Sequence, residues 1–299
     1  MMKPTEKFIS TFDGERLFTK TLEGGHSTWV IMTHGIGEHS GRHQFMASYF
    51  SQFANVCQWD LRGHGKSSGE RAYVTDFFSF TKDLMEVLKF LKNDFKISKF
   101  ILFGHSMGSL ITCDFMQNYT FIPGNIIDEK TFYPQLVFVS SPPVQPAGLV
   151  GQIVRKIPTY WIHLLANLNS SIRIAGLLDI FYLSHDVRVF EDYLKDPLNS
   201  TKLHTKLLLQ LIKRSRLVFF RPLNIKCDLY SIVGNKDTLV NYKDVVDYFK
   251  NYEKHCQYMV VDEGYHELQN EVERIRNVYL KFVQETVIEK IKSLDSVAI

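Results

Sequence analysis

Lys99-Phe-Ile-Leu-Phe-Gly-His-Ser-Met-Gly108 is the stretch on which the fold turns. Its first five residues are aromatic and aliphatic beyond the lysine, the composition of a strand buried on both faces. Ser109-Leu-Ile-Thr-Cys-Asp-Phe-Met-Gln117 follows with the apolar spacing of a helix. A G-x-S-x-G run between strand and helix forms a tight turn that strains the serine backbone and lifts its hydroxyl above the sheet. Glycines at 104 and 108 remove the Cβ atoms that would collide in such a turn. The same turn points the next amide, that of Met107, toward an oxygen reacting at Ser106.

Outward from that strand, the chain alternates strand and helix. Lys7–Phe12 and Leu17–Leu22 flank Asp13-Gly14, a hairpin signal. Trp29–Thr33, Val56–Asp60, Leu136–Val139, Leu229–Val233 and Tyr258–Val261 read as buried strands. Helical patterns lie between them near His43–Phe53, Asp76–Leu91 and Tyr242–Tyr252, and a long closing helix is expected from Asn270 to about Lys292. Strands separated by helices of this length require crossover connections, so an α/β fold with a mostly parallel sheet is predicted.

One segment breaks the rhythm. From Pro142 to Arg221 no strand is evident, which divides the chain into a core, residues 1–141 and 222–299, and a helical cap insertion, residues 142–221. Within the cap, Val150, Ile153, Val154, Ile157, Trp161, Leu164, Leu165 and Leu168 fall on one helical face, with Pro158 forcing a break. Lys202–Phe219 reads as a second amphipathic helix. Most of these apolar residues are expected to pack on the core. The cap carries eleven Lys and Arg against five Asp and Glu, a net +6 in a chain of net +3. A basic, apolar helical insertion reads as a lid lining a pocket or making peripheral contact with lipid.

Composition narrows the classes further. At 299 residues and 45% hydrophobic content the chain can bury a large core. A net charge of +3 argues against nucleic acid as a partner. Met1-Met-Lys-Pro-Thr-Glu-Lys7 lacks the apolar stretch of a signal peptide. No apolar run approaches the roughly 20 residues of a transmembrane helix. Cys57, Cys113, Cys227 and Cys256 are scattered with no C-x-x-C spacing, which suits four reduced thiols in a cytoplasmic protein without a metal.

A serine hydroxyl needs a base within hydrogen-bond reach, itself oriented by a carboxylate. Asp237 stands just beyond the Leu229–Val233 strand, and His266 just beyond Tyr258–Val261, where loops at strand C-termini gather active sites. The order Ser106, Asp237, His266 is the order enzymes built on such an elbow use. His266-Glu267 begins H-E-L-Q-N, which lacks the second histidine of a zinc hydrolase motif. An oxyanion hole would take the Met107 amide and a second amide from His34-Gly-Ile-Gly-Glu-His-Ser-Gly41, with Ile36 the best placed. His34 follows its strand directly and reads as a brace for that loop.

His34-Gly-Ile-Gly-Glu-His-Ser-Gly-Arg-His43, Asp60-Leu-Arg-Gly-His-Gly-Lys-Ser67, Gly104-His-Ser-Met-Gly108, Tyr193-Leu-Lys-Asp-Pro-Leu198 and Gly264-Tyr-His266 follow one another along nearly the whole chain. In this the sequence resembles the monoacylglycerol lipase and lysophospholipase group of the α/β-hydrolase superfamily, the serine aminopeptidase S33-like hydrolases. The resemblance implies an α/β-hydrolase fold with an eight-stranded sheet, a mobile lid, an acyl pocket for a lipid-like ester and no cofactor. It also implies that Glu38 and Arg42 face the alcohol part of the substrate and that Tyr193 contributes from the cap. Each of these also admits a structural reading, as a salt bridge or a cap-to-core hydrogen bond. Asp60 and Arg62 read as braces. Monoacylglycerol lipases commonly carry a second histidine three residues past the catalytic one to help bind glycerol. Here that position is Gln269, whose amide could still bond a hydroxyl.

The reading is therefore a serine esterase acting on single-acyl lipids, monoacylglycerol first, with lysophospholipid the near alternative. A carboxylesterase or thioesterase, an aminopeptidase, and a non-catalytic binding protein on the same fold stand behind these.

Overall fold

The computed structural model describes residues 4–168, 170–176 and 179–296. An eight-stranded sheet takes the order β1 (Thr5–Ser10), β2 (Arg16–Leu22), β4 (Asn55–Trp59), β3 (Thr28–Thr33), β5 (Lys99–His105), β6 (Leu136–Ser140), β9 (Asp228–Gly234), β10 (Gln257–Val261). The β1–β2 and β2–β4 pairs are antiparallel and the others parallel. Every residue of β3, β4 and β6 is buried, as expected of parallel strands covered by helices on both faces. One face is covered by α2 (Phe78–Phe95), α3 (Met107–Asn118) and α8 (Tyr242–Tyr252), whose apolar residues join one core cluster. The other is covered by α1 (Gln44–Phe50), α9 (Glu273–Val283) and α10 (Glu289–Ser296), in a second cluster.

The closing helix differs from expectation. It is a short 3-10 turn at Leu268–Asn270, then α9, a π-helical turn at Gln284–Ile288, and α10. Thr286 lies in the π turn and donates its hydroxyl to the Phe282 carbonyl at 2.6 Å, a side-chain bond that competes with the regular ladder.

Between β6 and β9 the chain forms α4 (Gly148–Lys156), α5 (Thr159–Asn167), α6 (Val187–Lys195) and α7 (Thr205–Val218). The break between α4 and α5 falls at Ile157-Pro158. Two corrections arise here. The segment does contain strands, a short antiparallel pair of β7 (Arg173–Ala175) and β8 (Lys202–His204), so α7 begins three residues later than its periodicity suggests. The apolar stripe of α4 and α5 also does not pack on the core. Of its members only Val154 is fully buried, whereas Val150, Ile153, Trp161, Leu164, Leu165 and Leu168 are exposed. The buried side of these helices is supplied instead by small or opposite-face residues, Gly151, Ile162 and Ala166.

The elbow joins β5 to α3 at Ser106, whose φ of +51° and ψ of −121° lie in a region strained for a residue with a side chain. The Ser106 amide donates to the Ser140 carbonyl at 2.8 Å, locking the turn to β6. A Cβ on Gly108 would lie 2.1 Å from the Thr33 carbonyl oxygen, and one on Gly104 2.6 Å from the Gly108 carbonyl oxygen. Helix α3 thus approaches β3 so closely that only glycine fits. Gly108→Ala is expected to cost about 3 kcal/mol or more, because the obstacle is backbone and cannot turn aside. Urea unfolding checks this: a midpoint equal to wild type would mean the two elements are not packed this tightly.

Candidate active site

Loops at the C-terminal ends of β5, β9 and β10 bring three residues together, as expected at the ligand-binding edge of a parallel sheet. Ser106 Oγ lies 2.8 Å from His266 Nε2, and His266 Nδ1 lies 2.7 Å from Asp237 Oδ2. The other Asp237 oxygen accepts the Leu239 and Val240 amides at 2.8 and 2.9 Å, so the carboxylate cannot rotate away. This network assigns the tautomer: Nδ1–H donates to Asp237, leaving Nε2 to accept the serine proton. All three residues are buried. Burial disfavours a charged His266, but the Asp237 carboxylate outweighs it and raises the imidazole above its ordinary range. Ser141 donates its hydroxyl to the His266 carbonyl at 3.0 Å and fixes the loop from below.

The Ile36 and Met107 amides flank Ser106. Among the described residues neither donates to a protein acceptor, leaving both available to an oxyanion. The elbow places the Met107 amide, and a buried ion cluster holds the loop that carries Ile36. Glu38 Oε1 accepts the Gly35 amide at 2.5 Å, immediately before Ile36, and His43 Nε2–H at 3.0 Å. Arg42 donates Nε to Glu38 at 3.3 Å and one terminal nitrogen to both oxygens of Glu267 at 2.7 Å. Burial opposes ionisation of Glu38, yet the His43 imidazolium and Arg42 hold its carboxyl well below the usual range. His43 is correspondingly raised by Glu38 despite its burial. His105 lies between His43 and His266, with ring centroids 5.4 and 5.1 Å away, and burial keeps it neutral.

Two cavities reach Ser106. A narrow one of about 20 Å³ is lined by Glu38, His105, Tyr193 and Glu267 among others. A larger, mostly apolar one of about 210 Å³ runs beneath the cap between Ile36, Val150, Leu208, Leu211 and Leu239. The structure brings Glu38 and Tyr193 to the narrow cavity, but not Arg42 or Gln269. Arg42 is drawn aside by its two carboxylates, and its guanidinium rests 4.8 Å from the centre of the Tyr193 ring. Gln269 is buried in the 3-10 turn after His266, with neither amide atom hydrogen-bonded among the described residues. Tyr193 donates its hydroxyl to the Gly37 carbonyl at 2.7 Å, tying the cap to the oxyanion loop. His34 and Asp60 brace as expected: His34 Nε2 accepts the Leu61 amide, and Asp60 accepts those of Ser40 and Lys66. Arg62 is held by Asp83 and Asp13.

Sequence reasoning missed His43, His105 and Glu267. The last two adjoin Ser106 and His266, which was the available signal. His43 had none, because only the folded loop turns it back onto Glu38.

The family described as serine aminopeptidase, S33 matches residues 25–273. A monoacylglycerol lipase of Mycolicibacterium smegmatis is 28% identical over 250 residues, covering 82% of this chain and 83% of that protein. Human monoglyceride lipase is 35% identical over 102 residues, 33% of this chain and 34% of that protein. Protein YnbC of Escherichia coli matches 83% of the chain at 25% identity, but the chain spans only 40% of its length. Among solved structures, a soluble variant of Saccharomyces cerevisiae monoglyceride lipase in complex with a substrate analog aligns with TM-score 0.79 at 16% identity, covering 97% of this chain and 96% of that one. Paleococcus ferrophilus monoacylglycerol lipase aligns with TM-score 0.70 at 22% identity, covering 97% and 99%. These two likenesses establish an α/β-hydrolase fold. Because the family match takes in every element that carries a site residue, the chain belongs to the serine aminopeptidase S33 family of α/β-hydrolases.

Proposed function

We propose that this protein is a serine carboxylic ester hydrolase that cleaves single-acyl lipid esters, monoacylglycerol in the first place. The observation that carries the reading is the Ser106–His266–Asp237 chain of hydrogen bonds at the mouth of an apolar cavity of about 210 Å³. The acyl chain occupies that cavity and the alcohol the narrow one beside Glu38 and Tyr193. Ser106 Oγ bonds to the ester carbonyl carbon while His266 Nε2 takes the hydroxyl proton. The Ile36 and Met107 amides hold the developing oxyanion, each such donor contributing about 2.7–4 kcal/mol in comparable enzymes. Collapse breaks the bond to the alcohol, which leaves with the proton from His266. Water, deprotonated by His266, then attacks the acyl carbon, and the serine recovers its proton as the acid departs.

Head-group choice follows from charge. Glu38 and Glu267 line the alcohol side and are already paired with Arg42 and His43, so among the described lining residues no free cation is left to receive a phosphate, which favours a neutral alcohol over a lysophospholipid. Their oxygens are already taken by Arg42, His43 and Asn270, which leaves neither carboxylate free for the ammonium group of a peptide. The M. smegmatis and human relatives, named for monoglyceride substrates, point the same way.

Residues 142–221 act as the lid in this reading. Leu149, Val150, Ile153, Tyr160 and Trp161 expose their side chains on α4 and α5, and this face rests on the lipid surface from which substrate is drawn. No helix among the described residues is long and apolar enough to cross a membrane.

A matched panel tests the assignment: monoacylglycerols, lysophosphatidylcholines and acyl-CoAs of equal chain length, and an aminoacyl anilide. The expected order puts monoacylglycerol first in kcat/KM. Faster cleavage of the anilide or of the lysophospholipid would sink it.

A further inference from the structure

A second polar cavity, of about 320 Å³, lies where the cap meets the core and shares no lining residue with the two that reach Ser106. Its walls carry three cations, Arg71 from the core and Arg173 and Lys202 from β7 and β8, together with Ser200 and Thr201. Among the described residues no carboxylate lines it. Arg71 is positioned by the Gly65 and Ser67 carbonyls. Among the described residues, Arg173, Lys202 and the Ser200 and Thr201 hydroxyls have no hydrogen-bond partner or counter-ion, so their donors remain for a ligand. Of the nearby acids, Asp60 accepts the Ser40 and Lys66 amides, Glu15 accepts the Ser68 hydroxyl, Asp196 faces His39, and Glu70 lies 3.2 Å from His204 Nε2; none of them lines the cavity.

We propose that this cavity binds a phosphate ester group, separately from catalysis, and so pins the cap to the core. Two guanidinium groups, an ammonium group and two hydroxyls suit a dianionic group with several acceptor oxygens better than a single carboxylate. The position gives such a ligand leverage. The Ser200 amide donates to the Gly37 carbonyl at 2.7 Å, the same carbonyl that Tyr193 holds, so the cavity wall is bonded directly to the oxyanion loop. The phosphate can belong to a soluble ester or to a lipid head group.

The experiment uses the full chain, an Arg173→Ala/Lys202→Ala variant, and a Lys250→Ala/Lys254→Ala variant that removes equal charge from exposed positions away from the cap. One arm titrates inorganic phosphate at constant ionic strength and reads the thermal midpoint. The other reads cosedimentation with phosphatidylcholine vesicles with and without phosphatidic acid. The expected result is a midpoint raised by about 2–4 °C, phosphatidic acid-dependent cosedimentation, or both, in wild type and the Lys250/Lys254 variant. Either response disappears in the Arg173/Lys202 variant, whose turnover of a soluble ester stays at the wild-type rate. A response to phosphate alone identifies a soluble ligand, and one to vesicles alone identifies a head group. No response in either arm overturns the proposal, as does a response that survives in the Arg173/Lys202 variant or is lost equally in the Lys250/Lys254 variant.

Discussion

Replacing Ser106 by alanine is expected to lower kcat for a p-nitrophenyl ester by about 10⁶-fold, the scale on which nucleophile loss acts in serine hydrolases. The hydroxyl is the group His266 Nε2 faces, at 2.8 Å, so its removal leaves a base with nothing to activate but water. The oxyanion amides and the apolar cavity survive, so substrate binding and KM should change little. The fold should survive as well. Alanine at position 106 keeps the positive φ and the bond from its amide to the Ser140 carbonyl, and loses one side-chain hydrogen bond worth about 1 kcal/mol. The measurement pairs turnover with labelling by a fluorophosphonate probe and a far-UV spectrum. Turnover within tenfold of wild type in a folded variant, with the probe attached elsewhere, would remove Ser106 from the mechanism.

The elbow and the positions of Asp237 and His266 were legible in the sequence because each is a local event. A buried strand ends, a loop begins, and the reactive residue sits within a few positions of the strand. Parallel topology then guarantees that these loops share one edge of the sheet, so Ser106, Asp237 and His266 could be named without coordinates. That Arg42 and Gln269 lie outside the two cavities reaching Ser106 was not legible, for the opposite reason. Whether a guanidinium faces substrate or a carboxylate depends on which residues far along the chain arrive beside it. Arg42 meets Glu267, 225 positions away. The cap shows the same limit. Periodicity found α4, α5, α7 and the break at Pro158 but not α6, and it records only that a face is apolar, not what covers it. The stripe on α4 and α5 proved mostly exposed, and β7 with β8 is too short to leave a periodic trace.

Asp237→Asn is expected to reduce kcat by about 10⁴-fold while leaving the protein folded. Asparagine matches the shape of aspartate and can still accept the Leu239 and Val240 amides through its oxygen. That leaves its NH₂ group facing His266 Nδ1, 2.7 Å from where a carboxylate oxygen now accepts a proton. The imidazole must then accept at Nδ1 and carry its hydrogen on Nε2, the nitrogen that has to take the serine proton. The residual activity carries a second prediction through pH. His266 works as a neutral base, so kcat/KM falls as the pH drops through its folded-state pKa. Burial alone would depress that pKa, and the Asp237 carboxylate raises it above the ordinary imidazole range of about 6.5. Wild-type activity is therefore half lost at a pH above about 6.5. In Asp237→Asn the largest of the charges opposing burial is gone, leaving the smaller contributions of Glu267 and Glu38, and the acid limb moves to lower pH. Profiles of kcat/KM for a soluble ester decide the matter. An acid limb that stays in place, or moves upward, would mean that Asp237 does not hold the charge on His266.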